Sequence, residues 1–131
     1  YMILVVDDDE QITLLLRGAL EKAGYRVETA DSGVGAYGYL KQKNCRCMLL
    51  DINIPKINGI ELLMLMQAEG VDIPTIVLAG FPNFRGPELK EFTNVVDFFG
   101  KPFDLDALLA AVRKHAKPQY IPDSMRTGKS L

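Results

Sequence analysis

Five short strand-like runs, at 2–6, 25–30, 47–50, 74–79 and 95–99, alternate with stretches whose apolar residues recur at helical spacing. Brief apolar runs closed by loop-forming residues read as buried strands. Strands that alternate with helices join by right-handed crossovers into a parallel sheet covered by helices on both faces. The first helical stretch carries Ile12, Leu15, Leu16, Ala19, Leu20 and Ala23, with Gly24 where a helix-ending residue belongs. Asp31-Ser32-Gly33 offers a turn and an N-cap for a second helix over 33–43, and its Gly33, Gly35 and Gly38 make it the least regular helix. A loop with Pro55 and Asn58-Gly59 leads into a third helix carrying Ile60, Leu62, Leu63, Leu65 and Met66, which Gly70 ends. The spacing predicts a short helix near 87–93 and a final amphipathic one, through Leu105, Leu108, Leu109 and Val112, to about Ala116. Residues 1–116 are read as one domain and 117–131, with Pro118, Pro122 and Gly128, as a tail or the start of a linker.

Where the runs end is the chemical clue. Asp7 and Asp8 follow the first run, Asp51 the third and Lys101 the fifth. In a parallel sheet these four groups emerge at one carboxyl edge, where open α/β folds place their sites. Three carboxylates held that close repel one another unless a cation joins them. The chemistry suggested is Mg²⁺-assisted handling of a phosphoryl group. By themselves Asp7, Asp8 and Asp9 also suit a solvated helix cap, which is the reading kept for Asp9.

Net charge is −2, so no basic footprint points to nucleic acid or an anionic membrane surface. The apolar stretches fall well short of the ~20 residues a spanning helix needs. The start of the chain, apolar and then acidic, lacks the layout of a secretory signal, and Tyr1 in the first position suggests trimming or renumbering. Cys45 and Cys47 have no further Cys or His cluster to complete a metal site, and are read as a reduced cytosolic pair with Cys47 buried. His115 falls in the last helical turn, where a cation suits the helix dipole. Gly128-Lys129-Ser130 lacks the glycine and the preceding strand of a phosphate-binding loop.

Taken together, the run 3–6 with Asp7-Asp8-Asp9-Glu10, Leu49-Leu50-Asp51 with 52–59, the run 74–78, and 97–103 around Lys101-Pro102 resemble the receiver domains of response regulators in bacterial two-component signalling. The resemblance covers about 2–116. It implies a flavodoxin-like, doubly wound, five-stranded parallel sheet of order 2-1-3-4-5. It also implies that Asp51 is the phosphoacceptor, taking a phosphoryl group from a partner histidine kinase or phosphotransfer protein, and that Lys101 assists. Asp8 would ligate Mg²⁺ directly and Asp7 through water, with Asp51 and the backbone carbonyl of Asn53 completing the set. The Lys101-Pro102 bond is cis in such domains. Output, to a further domain or a homodimer partner, would run through the helix near 87–93, the fifth strand and the final helix. A cytoplasmic location is implied as well.

Two positions depart from the family pattern. Ala79 stands where a Thr or Ser hydroxyl usually meets the phosphoryl group, and Phe98 occupies the aromatic switch position without a phenolic hydroxyl. The lost hydrogen bond to a charged group is worth about 1.5–3 kcal/mol, comparable to a typical coupling free energy of about 1–3 kcal/mol. A degenerate receiver that works as a phosphorylation-independent interaction module therefore stays open. A small hydrolase with an aspartyl-phosphate intermediate ranks below both, because its nucleophile belongs on the first strand and its pocket needs a longer chain. Nucleotide or flavin binding has no Gly-rich loop after the first strand to support it.

Overall fold

The structure is a computed structural model and describes residues 2–42, 44–54, 58–80 and 91–116. Its elements run β1 (Met2–Val6), α1 (Glu10–Lys22), β2 (Val27–Ala30), α2 (Gly33–Leu40), β3 (Cys45–Asp51), α3 (Gly59–Ala68), β4 (Thr75–Gly80), β5 (Val95–Lys101) and α4 (Leu105–His115). All strand pairs are parallel and the sheet order is β2-β1-β3-β4-β5, as expected. Helices lie on both faces. The three inner strands read as nearly unbroken apolar runs because neither face meets water.

Each sheet face buries its own core. Ile3, Val5, Leu49, Ile76 and Leu78 point toward α1 and α4, packing on Leu16, Leu20, Leu108 and Val112. Leu4, Val6, Met48, Leu50 and Val77 point the other way, toward α2 and α3, against Ala36, Leu40, Leu62, Leu63 and Met66. Burying one such side chain fully contributes about 1.5–3 kcal/mol. A bulge adds detail: Met2 pairs with Cys45 but Ile3 with Cys47, which leaves Arg46 as the extra residue. Cys45 therefore faces the α2–α3 side and the buried Cys47 the α1–α4 side, and both are free thiols.

Caps set the helix starts. The Asp9 carboxylate accepts from the N–H groups of Gln11 and Ile12, and Asp104 caps α4 in the same way. Asn58 and Glu61 form a reciprocal capping box on α3. Gly24 and Gly70, at φ of 100° and 71°, end the α1 and α3 segments in the left-handed region that glycine occupies without strain.

Several local expectations need correction. The second strand begins at Val27, because the buried Tyr25 is drawn off: its N–H bonds to Leu20 O and its hydroxyl donates to Ala116 O at 2.7 Å. The second helix stops at Leu40 instead of 43, with Lys41 as its C-cap. Leu15 is 50% exposed, so the buried stripe of α1 is narrower than its apolar periodicity suggests. The helix expected near 87–93 falls largely outside the described residues, within which 91–94 form a turn, and the segment 117–131 lies outside them.

Candidate functional site

The carboxyl edge of the sheet gathers the charged residues. Asp51 is the last residue of β3, the central strand, and Lys101 is the last of β5, while Asp7 follows β1 directly. Asp7 is 2% and Asp51 5% exposed, whereas Asp8 lies open to solvent. The Lys101 ammonium donates to Asp7 Oδ2 at 2.8 Å and to Asp51 Oδ2 at 3.0 Å, so one cation bridges two buried carboxylates. The second oxygen of each carboxylate is also held. Asp9 N–H donates to Asp7 Oδ1 at 2.8 Å, and Asn53 N–H donates to Asp51 Oδ1 at 2.9 Å. These short loop bonds fix the rotamers of both aspartates, and Lys101 joins them across the sheet.

Electrostatically the site is short of positive charge. Burial pushes the Asp7 carboxyl above the ordinary carboxylate range, against the pull of Lys101 and the Asp9 N–H, and the Asp51 charge adds to the rise. Burial alone would lower the Lys101 pKa, but its bonds to Asp7 and Asp51 outweigh that and hold the ammonium charged above its usual range. Among the described residues one ammonium is set against three carboxylates, since Asp7, Asp8 and Asp51 each present an oxygen within 4.8 Å of the others. The donor set is all hard oxygen, which suits Mg²⁺ and offers nothing to a thiophilic or imidazole-seeking metal. A cleft of about 560 Å³ opens beside Asp7 and Asp8 toward Thr13, Asp31 and Tyr39.

The remaining sites of the sequence reading fall as follows. Asn53 is exposed on the loop after β3. Ala79 is fully buried in β4 on the α2–α3 side, and Phe98 packs partly buried on that same side from β5. The Lys101-Pro102 bond is cis. His115 lies in the last turn of α4. The link the sequence reading missed is the direct ion pair between Asp7 and Lys101. Its signal was present, because opposite charges at the ends of two parallel strands share one edge.

Comparison with known proteins points the same way. The sequence profile of the response regulator receiver domain matches residues 3–113. Response regulator MprA of Mycobacterium bovis (strain BCG / Pasteur 1173P2) is 32% identical over 126 residues, covering 94% of this chain and 55% of that protein. The MprA of Mycobacterium sp. (strain KMS) is 33% identical over 125 residues, covering 93% and 54%. The chain thus spans about half the length of the curated relatives it matches. Among solved structures, the Thermotoga maritima response regulator TrrA in complex with Mg²⁺ and BeF aligns with a TM-score of 0.77 and 29% identity, covering 88% of this chain and 98% of that one. A Francisella response regulator receiver domain aligns with a TM-score of 0.79 and 26% identity, over 86% and 93%. With the sheet order, the bridged aspartates and the profile match in agreement, the chain belongs to the response regulator receiver domains of two-component signalling.

Proposed function

We propose that this receiver domain takes a phosphoryl group onto Asp51 from a partner histidine kinase or phosphotransfer protein, and that phosphorylation carries its signal. The observation that supports this most is the placement of Asp51: buried at the end of the central strand, with Lys101 on one oxygen and the acidic pair beside it. An ionised carboxylate is a nucleophile that needs no base. The Asn53 N–H holds Oδ1, which orients the carboxylate, and Oδ2 is the oxygen Lys101 already contacts. As the bond from phosphorus to Asp51 forms and the phosphorus–nitrogen bond to the donor histidine breaks, Lys101 moves its donors from the Asp51 carboxylate to a phosphoryl oxygen and stabilises the charge there. Asp7 keeps the ammonium in position through that exchange.

Asp7, Asp8, Asp51 and the backbone carbonyl of Asn53 are the groups that would hold Mg²⁺. When bound, Mg²⁺ supplies the positive charge that the single ammonium cannot, toward both the carboxylates and the phosphoryl oxygens. TrrA, seen with Mg²⁺ and BeF, makes the same ligand chemistry reasonable here. The chain spans about half the length of its curated relatives, and coupling to an output domain belongs to the proposal, as does a cytoplasmic setting beside a kinase. No helix among the described residues is long and apolar enough to cross a membrane.

Ala79 favours a second reading, a receiver that binds partners without a phosphorylation switch. Its methyl is wholly buried among apolar groups and it has no hydroxyl to offer a phosphoryl oxygen. Nuclear magnetic resonance separates the two readings. With Mg²⁺ and beryllofluoride, amide signals of Asp51, Asn53 and Lys101 should shift in wild type and stay in place in Asp51→Asn. A wild type that ignores both reagents would reject phosphoacceptor function.

A further inference from the structure

Of the three clustered carboxylates, two are held by donors. Asp7 and Asp51 each have one oxygen on Lys101 and the other on a loop N–H. Asp8 is exposed, and among the described residues no donor fixes its carboxylate. Its aim toward the other two therefore depends on the backbone to either side of it.

One hydroxyl gathers that backbone. Thr13, in the first turn of α1, donates from Oγ1 to Asp9 O at 3.0 Å and reaches Asp7 O at 3.4 Å. These are the two carbonyls that bracket Asp8. A hydroxyl carries a single proton, so both acceptors share it and the loop is pinched between them. The bond to Asp9 O by itself is the ordinary back-bond of a helical threonine, which slightly disfavours the helix and tends to bend it. The reach to Asp7 O does something else, because Asp7 precedes both the helix and its cap. Two further bonds complete the frame: Asp7 N–H donates to Ala30 O at 3.1 Å, and Asp9 N–H to Asp7 Oδ1 at 2.8 Å.

We infer that Thr13 is a positioning residue for the metal: its hydroxyl holds the loop from Asp7 to Asp9 in the shape that turns the Asp8 carboxylate toward Asp7 and Asp51 before Mg²⁺ arrives. A ligand held in advance lowers the ordering cost of binding. Thr13 acts through the backbone and lines the cleft beside Asp7 and Asp8 without joining the ligand set. The inference rests on Asp8 as a metal ligand, and its first test needs no metal.

Thr13→Val keeps the branched shape and removes the hydroxyl, whereas Thr13→Ser keeps the hydroxyl. In metal-free protein, hydrogen exchange followed by nuclear magnetic resonance should quicken several-fold at the Asp9 amide in Thr13→Val, with far smaller changes at Leu16 and Leu20. A threonine that served only its own helix would show the reverse. Calorimetric titration of Thr13→Val should find Mg²⁺ bound more weakly on the order of three- to tenfold, the worth of one hydrogen bond. Thr13→Ser should bind within about twofold of wild type. Unchanged exchange at Asp9 in Thr13→Val overturns the inference whatever the metal does. So does a Thr13→Val protein that binds Mg²⁺ as tightly as a wild type that binds it, or a Thr13→Ser protein as weak as Thr13→Val. A wild type with no affinity for Mg²⁺ removes the ligand set itself, and the inference falls with it.

Discussion

Gly59→Ala should destabilise the domain and slow its chemistry through one contact. Gly59 opens α3, and a Cβ built there would lie 2.4 Å from Ile52 Cα and 3.0 Å from Ile52 Cβ. Carbon atoms pack at about 3.5–4.0 Å, so the two segments must part by roughly 1 Å. The obstruction is backbone and cannot swing aside, which places the strain at the upper end of the 1–3 kcal/mol usual for overpacking. Parting also lengthens the bond from Gly59 N–H to Ile52 O, now 3.0 Å, worth about 0.5–1.5 kcal/mol. The better helix propensity of alanine returns up to about 1 kcal/mol. The net loss is about 3 kcal/mol. At about 2.1 cal/mol/K of unfolding entropy per residue, a chain of this size shifts by roughly 4 °C per kcal/mol, so Tm should fall by about 10 °C. Ile52 follows Asp51 directly, so acetyl phosphate should label the variant more slowly. Gly18→Ala is the matched control. It lies exposed inside α1 with nothing within 4 Å of its Cβ, and it should raise Tm by about 3 °C. Calorimetry reads both. A Gly59→Ala protein melting within about 2 °C of wild type would refute the packing argument.

Asp8→Ala should weaken Mg²⁺ binding about tenfold or more by calorimetric titration while leaving the metal-free protein at least as stable, because it removes an exposed carboxylate from a cluster of like charges; retained affinity would strike Asp8 from the ligand set. Wild type treated with Mg²⁺ and beryllofluoride should show large amide shifts near Asp51 and small ones at Phe98, with Ala79→Thr extending them to Phe98; large shifts there in wild type would mean that coupling runs by another route. Burial pushes the Cys45 thiol up to about 11 and the Cys47 thiol up to about 12, from an ordinary 9.0, so both should resist a thiol reagent at pH 8 until the protein unfolds. A raised folded-state pKa means that this contribution to stability is whole below pH 9 and fades as pH climbs through 11 and 12; a Cys45→Ala, Cys47→Ala variant should therefore lose Tm less steeply over that window.

The parallel sheet and the aspartate edge were legible because both follow from short-range patterns, whereas the strand order came only with the family resemblance. Strands covered on two faces must be apolar throughout, and a charge at the end of such a run in a parallel sheet has one edge to occupy. Asp9, Gly24, Asn58 and Gly70 announce helix limits through local chemistry that survives in the fold. What stayed hidden depends on residues far apart. Tyr25 looks like a strand residue until Ala116, 91 positions away, accepts its hydroxyl. Cys45 and Cys47 look like same-face neighbours until Arg46 bulges out and sends them to opposite cores. Leu15 fits the helical period, but no element among the described residues covers it and it is half exposed. The bond of Lys101 to Asp7, beside its bond to Asp51, emerges only once β1, β3 and β5 are set side by side.

The measurement that bears most directly on the central claim is the intact mass of the protein after incubation with acetyl phosphate and Mg²⁺. Wild type should gain one phosphoryl mass, labile to hydroxylamine as an acyl phosphate is. The gain should vanish in Asp51→Asn or when the metal is chelated, and Lys101→Met should label far more slowly. A phosphoryl group that persists in Asp51→Asn, or a wild type that gains none, would contradict the assignment of Asp51 as the acceptor.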